Sequence, residues 1–182
     1  LLNQNIKGEV IVIDDKSTDR TLDVVNYYSE DIIILEKDKH GGAALCRNLG
    51  NDISTGDIIA VCDSDIYNSN RSDAITQFFE EFEDKDVFYS GLQLRDKNNK
   101  FEMYHMEAIE WDFKSKCPIS HPTVAYKRKV AEKVKYKQLT KESDLYEFFL
   151  LEAHKEGFKF GGCQTPLMIK VEGNSTRDVA EA

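Results

Sequence analysis

The chain has 182 residues, of which 41% are hydrophobic and 31% charged, a composition typical of a soluble globular protein with one core. The formal net charge of −9 disfavours non-specific binding to nucleic acid, which needs a basic surface. Anionic nucleotides stay open as ligands, because a metal ion can neutralise their phosphates. The sequence shows neither a signal peptide nor an apolar run long enough to cross a bilayer, and its four cysteines have no metal-ligand spacing. We therefore expect a cytoplasmic protein, either free or peripheral at a membrane surface.

Strands and helices alternate in the first half of the chain. Two short apolar runs, 9–13 and 58–62, predict strands that are buried on both faces, and a third run, 32–35, predicts another strand. Helices are predicted between them, one over 43–53 and one capped by Ser17 or Thr18, with Asp19 in its first turn, that ends near Tyr28. This alternation predicts an α/β fold, in which a mainly parallel mixed sheet has helices on both faces.

The second half of the chain continues the pattern less regularly. One helix is predicted from apolar residues at helical spacing: Ile75, Phe78, Phe79 and Phe82. Strands are predicted over 87–94, 123–126, 158–160 and 167–171. Helices are predicted around Val130 and over 142–156, whereas residues 101–118 have no clean period. We interpret residues 1–182 as a single domain.

Two carboxylates with one small residue between them follow the predicted strand 58–62: they are Asp63 and Asp65, around Ser64. Open α/β sheets bind ligands beyond the carboxyl ends of their strands. Residues two apart on an extended backbone point to the same side, so both carboxylates can face one ligand. Mg²⁺ is commonly held by one or two carboxylates plus substrate phosphates, and the motif fits a metal-bridged diphosphate. The alternative is an ordinary polar turn at a strand end.

A second acidic pair, Asp14 and Asp15, follows the predicted strand 9–13. If the two strands are neighbours in a parallel sheet, four acidic groups gather at one edge, which is costly without a cation or a donor-rich ligand. One pair could then hold a metal, while the other accepts hydrogen bonds from a base or a ribose. The alternative is a helix cap and a solvated loop, with Ser17 in the cap.

Four residues carry weaker signals. Arg47 follows Gly41-Gly42 by about one helical turn and could contact a diphosphate, since a helix N-terminus attracts phosphate, or it could be a surface residue. Asp144 lies at a helix start, where an acid also serves as a cap. Trp111 and His121 are candidate acceptor contacts, although a core or structural role is the more common one for such residues.

Four segments, taken in chain order, resemble the inverting GT-A glycosyltransferases of family 2. The first resembles the family's V-D-D-G-S-T-D-x-T motif and the second its G-x-x-x-A-R-N helix start. The third is similar to the strand that carries the D-x-D motif, and the fourth to the helix start that holds the catalytic base. Their residues are Val10–Thr21, Gly42–Asn48, Gly56–Asp65 and Ser143–Leu150.

The resemblance implies the transfer of a sugar, with inversion, from a nucleotide-sugar donor such as a UDP-sugar to a hydroxyl group. The acceptor would be a glycan or a lipid-linked or protein-linked molecule, and Mn²⁺ or Mg²⁺ would be the cofactor. By the family pattern, Asp15 recognises the base, Asp63 approaches the ribose and the metal, Asp65 ligates the metal, and Asp144 is the general base. The other expected nucleotide contacts are Asp14, Ser17, Arg47 and Ser64.

The sequence departs from the family pattern in several places. The family's first strand, with its Pro-x-Tyr-Asn-type motif, would precede Leu1, so we expect a domain truncated at its N-terminus. Lys16 replaces the usual Gly, Ser143 replaces the usual Glu and leaves Glu142 as a rival base, and Leu151 stands near the usual Arg. The absence of a Q-x-x-R-W motif and of membrane helices disfavours a processive polysaccharide synthase.

Two alternative functions stay open at this point. A phosphohydrolase of the haloacid dehalogenase type also places D-x-D after a buried strand and would use Asp63 as a nucleophile, but it gives the Asp14-Asp15 segment no role. The other alternative is a non-catalytic domain that binds a nucleotide or a partner.

Overall fold

The computed structural model describes residues 1–6, 8–63, 65–96, 98, 101–104, 119–138 and 142–171. Eight strands lie within these ranges: β1 (Ile11–Asp14), β2 (Ile33–Glu36), β3 (Ile58–Ala60), β4 (Ile66–Tyr67), β5 (Val87–Arg95), β6 (Phe101–Tyr104), β7 (Ala125–Lys127) and β8 (Phe160–Val171). The same ranges hold five α-helices: α1 (Thr21–Asn26), α2 (Gly42–Ile53), α3 (Arg71–Glu81), α4 (Arg128–Lys133) and α5 (Glu142–Lys155). A 3₁₀ turn spans His121–Thr123. None of the described helices is both long and apolar enough to span a bilayer.

The chain divides into two compact units. Unit 1 comprises Leu1–Leu2, Lys7–Ile59 and Tyr126–Phe158, and unit 2 comprises Asn3–Ile6, Ala60–Ala125 and Lys159–Ala182. Both units combine strands with helices, and parallel and antiparallel strand pairs both occur, which confirms the predicted mixed α/β class.

A parallel pair of strands, β1 and β2, organises the first half of unit 1. Ile11 pairs with Ile33 and Asp14 with Glu36, and the ladder continues through a hydrogen bond from the Lys37 amide to the Asp14 carbonyl at 3.0 Å. Because parallel strands end at the same edge, the residues that follow β1 and β2 emerge side by side. This register places Asp15 beside Lys37.

An aromatic cluster forms the core of unit 1. The rings of Tyr136 and Phe149 stack with centroids 4.1 Å apart, the Tyr126 ring lies 5.3 Å from the Phe149 ring, and the Tyr126 and Tyr136 hydroxyls are 3.3 Å apart. The Tyr126 hydroxyl donates to the Asn51 side chain at 2.9 Å. These contacts anchor α5 and α2 to β7, so the backbone of α5 has a fixed place in this unit.

Unit 2 is built on a long parallel pair, β5 and β8. β6 pairs antiparallel with β5, and β4 pairs antiparallel with β8. Apolar residues of α3 pack beside these strands, with the Phe78 ring 5.0 Å from the Phe88 ring. The buried apolar residues of this unit include Val61, Ile75, Phe79, Val87, Phe88, Tyr89, Leu92, Val124, Leu167 and Met168.

Strands β3 and β7 run in opposite directions beside each other. The Arg128 amide donates to the Asp57 carbonyl at 2.8 Å, and the Val61 amide donates to the Val124 carbonyl at 3.0 Å. The prediction that β3 is buried on both faces is wrong, because Ile58 and Ile59 are half-buried and Ala60 is exposed. β7 covers one edge of β3, and no described strand covers the other.

The predicted start of α1 is also wrong. The helix begins at Thr21, and Asp19 lies before it and accepts a hydrogen bond from the Thr21 amide at 2.9 Å. Asp19 therefore accepts the first amide of α1, a role that we predicted for Ser17 or Thr18. The helix ends at Asn26 and has no buried residue.

The last two predicted strands form one continuous strand, β8. Its polar middle lacks an apolar pattern, but its backbone stays paired with β5 through register shifts near Gly91. Phe82, predicted on the apolar face of α3, is 42% exposed at the end of that helix.

Close contact between β5 and β8 depends on Gly162, which pairs with Tyr89. A Cβ atom on Gly162 would run into the Tyr89 carbonyl oxygen and lie 2.7 Å from its ring. We predict that Gly162→Ala lowers the free energy of unfolding by about 2 kcal/mol, measured by urea denaturation. Gly8→Ala is the control, because a Cβ there has no atom within 4 Å. Equal stability of the two variants would contradict the close approach of the strands.

Candidate functional site

The carboxylate of Asp15 joins the ends of β1 and β2 to the start of α2. Its Oδ1 accepts hydrogen bonds from Lys37 Nζ at 2.5 Å and from the Gly41 amide at 2.9 Å. Its Oδ2 accepts from the Gly42 amide at 2.7 Å and lies 3.4 Å from Nε2 of the exposed His40. The helix N-terminus that we predicted to attract a phosphate therefore already holds a carboxylate of the protein itself.

These contacts control the ionisation of Asp15. Burial on its own raises the pKa of Asp15, but hydrogen bonds from Lys37, Gly41 and Gly42 outweigh it and lower the pKa to about 2. The hydrogen bond to Asp15 in turn raises the pKa of Lys37. Asp15 is consequently ionised at neutral pH and paired with a cation.

The loop after β1 has a strained backbone. Lys16 adopts a φ of +67°, a left-handed conformation that glycine adopts with less strain. The Ser17 amide donates to the buried Asp14 carboxylate at 3.0 Å across this turn. Asp14 and Ser17, both expected at the nucleotide, thus stabilise the turn in which Lys16 replaces the family's usual Gly.

Arg47 lies against the aromatic cluster of unit 1. Its guanidinium carbon is 5.9 Å from the centre of the Tyr136 ring. The neighbouring Asn48 side chain donates to the Tyr136 carbonyl at 2.8 Å and accepts from the Tyr136 amide at 2.9 Å. The half-buried Arg47 is therefore supported by the core rather than projecting freely from the surface.

Asp63 and Asp65 lie in unit 2, directly after β3. The Asp63 amide donates to the hydroxyl oxygen of Tyr67 at 2.8 Å. Burial, and next the negative charge of Asp63, raise the pKa of Asp65, whereas Lys170 opposes this effect. Asp65 is thus partly buried and lies within the electrostatic influence of Asp63, and the prediction that both carboxylates face one ligand stays a prediction.

A divalent cation fits the chemistry of this pair. Two repelling carboxylates are hard oxygen ligands, and a cation beside them would relieve their repulsion. No group of three or more His, Cys, Asp or Glu side chains that could hold a metal occurs among the described residues. Two carboxylates are nevertheless sufficient where substrate phosphates complete the coordination.

The other predicted site residues are placed only in part. His121 begins the 3₁₀ turn and is 3% exposed, which disfavours direct contact with an acceptor in this conformation. Asp144 is the third residue of α5, in the first turn of the helix, and its side chain lies outside the described part. Ser64 and Trp111 also lie outside the described residues.

The acidic strands β1 and β3 are not paired with each other in the described structure. β1 pairs with β2, and β3 pairs with β7. The expectation of a shared acidic edge depended on direct pairing between them, and the described strands do not show that pairing.

Sequence analysis missed three residues that contact the candidate site residues. Lys37 binds Asp15, Tyr67 binds the Asp63 backbone, and Arg71 lies beneath Tyr67 with its guanidinium carbon 4.6 Å from the ring centre. The signal for Lys37 was its position directly after the strand next to β1. Nothing in the local pattern distinguished Tyr67 or Arg71 from other residues around a helix start.

The family model of Glycosyl transferase family 2 matches residues 1–149. The chain belongs to this family. An uncharacterized glycosyltransferase of Methanocaldococcus jannaschii is 25% identical over 151 residues, which cover 78% of this chain and 52% of the relative. Glycosyltransferase GlyG of Streptococcus pneumoniae serotype 4 is 26% identical over 173 residues, covering 81% of this chain and 56% of GlyG. The chain spans about half the length of the curated relatives it matches.

Solved structures show the same fold. S. aureus TarS 1-349, in complex with UDP-GlcNAc, matches with a TM-score of 0.74 at 18% identity, over 98% of this chain and 54% of that chain. The mannosyltransferase PcManGT of Pyrobaculum calidifontis, in complex with GDP-Man and Mn²⁺, matches with a TM-score of 0.63 at 18% identity, over 96% of this chain and 51% of that chain. These likenesses confirm the GT-A fold predicted from the sequence.

Replacement of Asp15 should cost stability in a pH-dependent way. Its pKa falls from 3.8 to about 2 in the folded chain, and its side chain is 22% exposed. Because the folded pKa is the lower one, the carboxylate stabilises the fold above pH 4 and loses this effect as the pH falls towards 2. We predict that Asp15→Asn destabilises the chain by about 2 kcal/mol at pH 7 and by about half as much at pH 3.

Urea denaturation at pH 7, 5 and 3 measures this difference. Asp52→Asn is the control, because Asp52 makes an exposed ion pair with Lys135 and such pairs contribute little. A constant difference between Asp15→Asn and the unsubstituted chain across this range would contradict the assigned role of ionisation.

Proposed function

We propose that this chain is the donor-binding and catalytic part of an inverting, metal-dependent glycosyltransferase that uses a UDP-sugar. The observation that carries the proposal is the family 2 match, which covers the two carboxylates Asp63 and Asp65 in the loop that follows β3. The complexes of TarS with UDP and with UDP-GlcNAc support a uridine donor, and the Mn²⁺ bound to PcManGT supports a divalent cation.

The carboxylates of unit 2 would hold the donor diphosphate through the cation. In this proposal Asp65 ligates Mn²⁺ or Mg²⁺, and Asp63 approaches the ribose and the metal. When bound, the cation stabilises the negative charge that develops on the diphosphate as the glycosidic bond breaks. Ser64 and Arg47 are proposed as further contacts of the nucleotide.

Asp144 is proposed as the general base. It would take the proton from the acceptor hydroxyl while that oxygen forms a bond to the anomeric carbon. The bond from the anomeric carbon to the diphosphate oxygen breaks in the same step, and the nucleoside diphosphate leaves from the opposite face. A single displacement of this kind inverts the anomeric configuration. The acceptor would be a glycan or a lipid-linked or protein-linked hydroxyl.

Base recognition by Asp15 requires an exchange of partners. The Asp15 carboxylate accepts three hydrogen bonds, from Lys37, Gly41 and Gly42. Its fourth neighbour, His40, has a 79% exposed side chain. We propose that an N–H group of the nucleobase replaces His40 at Asp15 Oδ2. The three inner contacts then keep the carboxylate ionised and oriented for the base.

Nucleotide binding tests the role of Asp65. Calorimetric titration with UDP should show binding in Mn²⁺ that weakens strongly in EDTA, and GDP should bind less tightly than UDP. We predict that Asp65→Ala removes the metal-dependent part of UDP binding, because the cation loses a ligand. Asp84→Ala is the matched control, since Asp84 is an exposed carboxylate that contacts surface lysines. Equal metal-dependent binding in Asp65→Ala would exclude this residue as the ligand.

Turnover tests the role of Asp144. UDP release from UDP-GlcNAc can be followed with a panel of p-nitrophenyl glycosides as acceptors. We predict that Asp144→Asn lowers turnover by about 10²–10⁴-fold and leaves UDP affinity unchanged, because the base acts only on the acceptor proton. Glu142→Gln, at the rival position in the same helical turn, should retain activity. If Asp144→Asn keeps its turnover and Glu142→Gln loses it, the general base is Glu142 instead of Asp144.

The two alternative functions predict different outcomes. The family 2 match argues against a phosphohydrolase that uses Asp63 as its nucleophile. Release of phosphate from simple phosphate esters would support that alternative instead. A folded chain that binds neither UDP nor GDP with Mn²⁺, and that transfers no sugar, would support a non-catalytic domain.

A further inference from the structure

Arg71, the first residue of α3, lies inside unit 2 although it is charged. It is 3% exposed, and its Nη2 donates to three backbone carbonyls: Val61 at 3.0 Å, Pro122 at 3.3 Å and Val124 at 3.3 Å. A buried guanidinium is costly unless such acceptors surround it. Arg71 thus ties the backbone that leads into Asp63 to the 3₁₀ turn and its C-terminal end.

The same guanidinium reaches the carboxylate loop by two further contacts. Its Nη1 lies 3.2 Å from the sulfur of Cys62, the residue before Asp63. Its carbon lies 4.6 Å from the centre of the Tyr67 ring, and the Tyr67 hydroxyl accepts the Asp63 amide at 2.8 Å. Asp63 is therefore held at its amide by Tyr67, which Arg71 contacts, and the preceding Cys62 is held at its sulfur by Arg71 itself.

This arrangement opposes a specific force. Two ionised carboxylates only two residues apart, as Asp63 and Asp65 are, favour separation in an unsupported loop when no cation is bound. A loop that keeps them together binds a cation more tightly, because less conformational freedom is lost on binding. Rigid support of ligating residues by neighbouring hydrogen bonds is a general property of metal sites.

We propose that Arg71 and Tyr67 are positioning residues that preorganise the backbone at Asp63 for cation and diphosphate binding. The proposal rests on the proposed function of Asp63 and Asp65. Neither residue touches the ligand: Tyr67 holds the Asp63 amide, and Arg71 holds Tyr67, Cys62 and Val61.

Tyr67→Phe is the sharpest test, because it removes one hydroxyl and keeps the ring over Arg71. Tyr89→Phe is the matched control, since Tyr89 is a buried tyrosine of the same unit, on β5. Two quantities are measured in the full chain: hydrogen exchange of the Asp63 amide, and UDP affinity by calorimetry over a series of Mn²⁺ concentrations and in EDTA.

For Tyr67→Phe we expect exchange of the Asp63 amide to accelerate by about ten-fold, which corresponds to the loss of one buried hydrogen bond. The Mn²⁺ concentration that half-saturates UDP binding should rise by about the same factor, with UDP affinity in EDTA unchanged. Tyr89→Phe should leave both quantities unchanged. A merely structural role would lower the melting temperature and affect UDP binding equally with and without Mn²⁺, and that result would overturn the proposal.

The two measurements separate the failure of this proposal from the failure of the proposed function. If the unsubstituted chain shows no Mn²⁺-dependent UDP binding, the proposed function is wrong. The positioning role is then also wrong, regardless of the hydrogen-exchange rate of the Asp63 amide. If the unsubstituted chain binds UDP with Mn²⁺ and Tyr67→Phe binds it equally well, only the positioning role is overturned. A folded Arg71→Met variant should raise the Mn²⁺ concentration that half-saturates UDP binding by more than Tyr67→Phe does, because Arg71 contacts Tyr67, Cys62 and Val61. A smaller rise would contradict the inference that Tyr67 depends on Arg71.

Discussion

The ion pair between Asp15 and Lys37 is the contact on which the first half of unit 1 depends. It lies where two parallel strands end together, and the same carboxylate accepts the first amides of α2. Two strands and one helix are therefore joined through a single side chain. In the proposed function, the same contacts that join these elements orient the carboxylate for the nucleobase.

In unit 2 a positively charged side chain, Arg71, joins distant backbone segments, as the negatively charged Asp15 does in unit 1. The buried guanidinium of Arg71 donates hydrogen bonds to backbone carbonyls in the segment after β3 and in and after the 3₁₀ turn. In both units a buried charge fixes the loop after a strand by binding backbone groups of distant segments. In unit 2 the carboxylate proposed to contact the ligand thus depends on a charge that the ligand does not touch, whereas in unit 1 the fixing carboxylate is itself the proposed contact.

The sequence was informative wherever the deciding interactions are local. The positions of the strands of the first half and of α2 follow from apolar runs and turn residues, and the structure agrees with these positions, although not with the predicted burial of β3. It was uninformative for Arg71, whose acceptors at Pro122 and Val124 lie 51 and 53 residues away. The start of α1 failed for a subtler reason: several residues between Ser17 and Asp19 can cap a helix, and only the chain path decides which one does.

The edge of β3 opposite β7 has a consequence for how further chain can add to this sheet. β3 has β7 on one side and β1 has β2 on one side, and the described strands leave the second edge of each without a partner. Unpaired strand edges present rows of amides and carbonyls that act as templates for further strands. Among the described residues, the second edges of β3 and β1 are therefore the places where a further strand, from this chain or another, would pair.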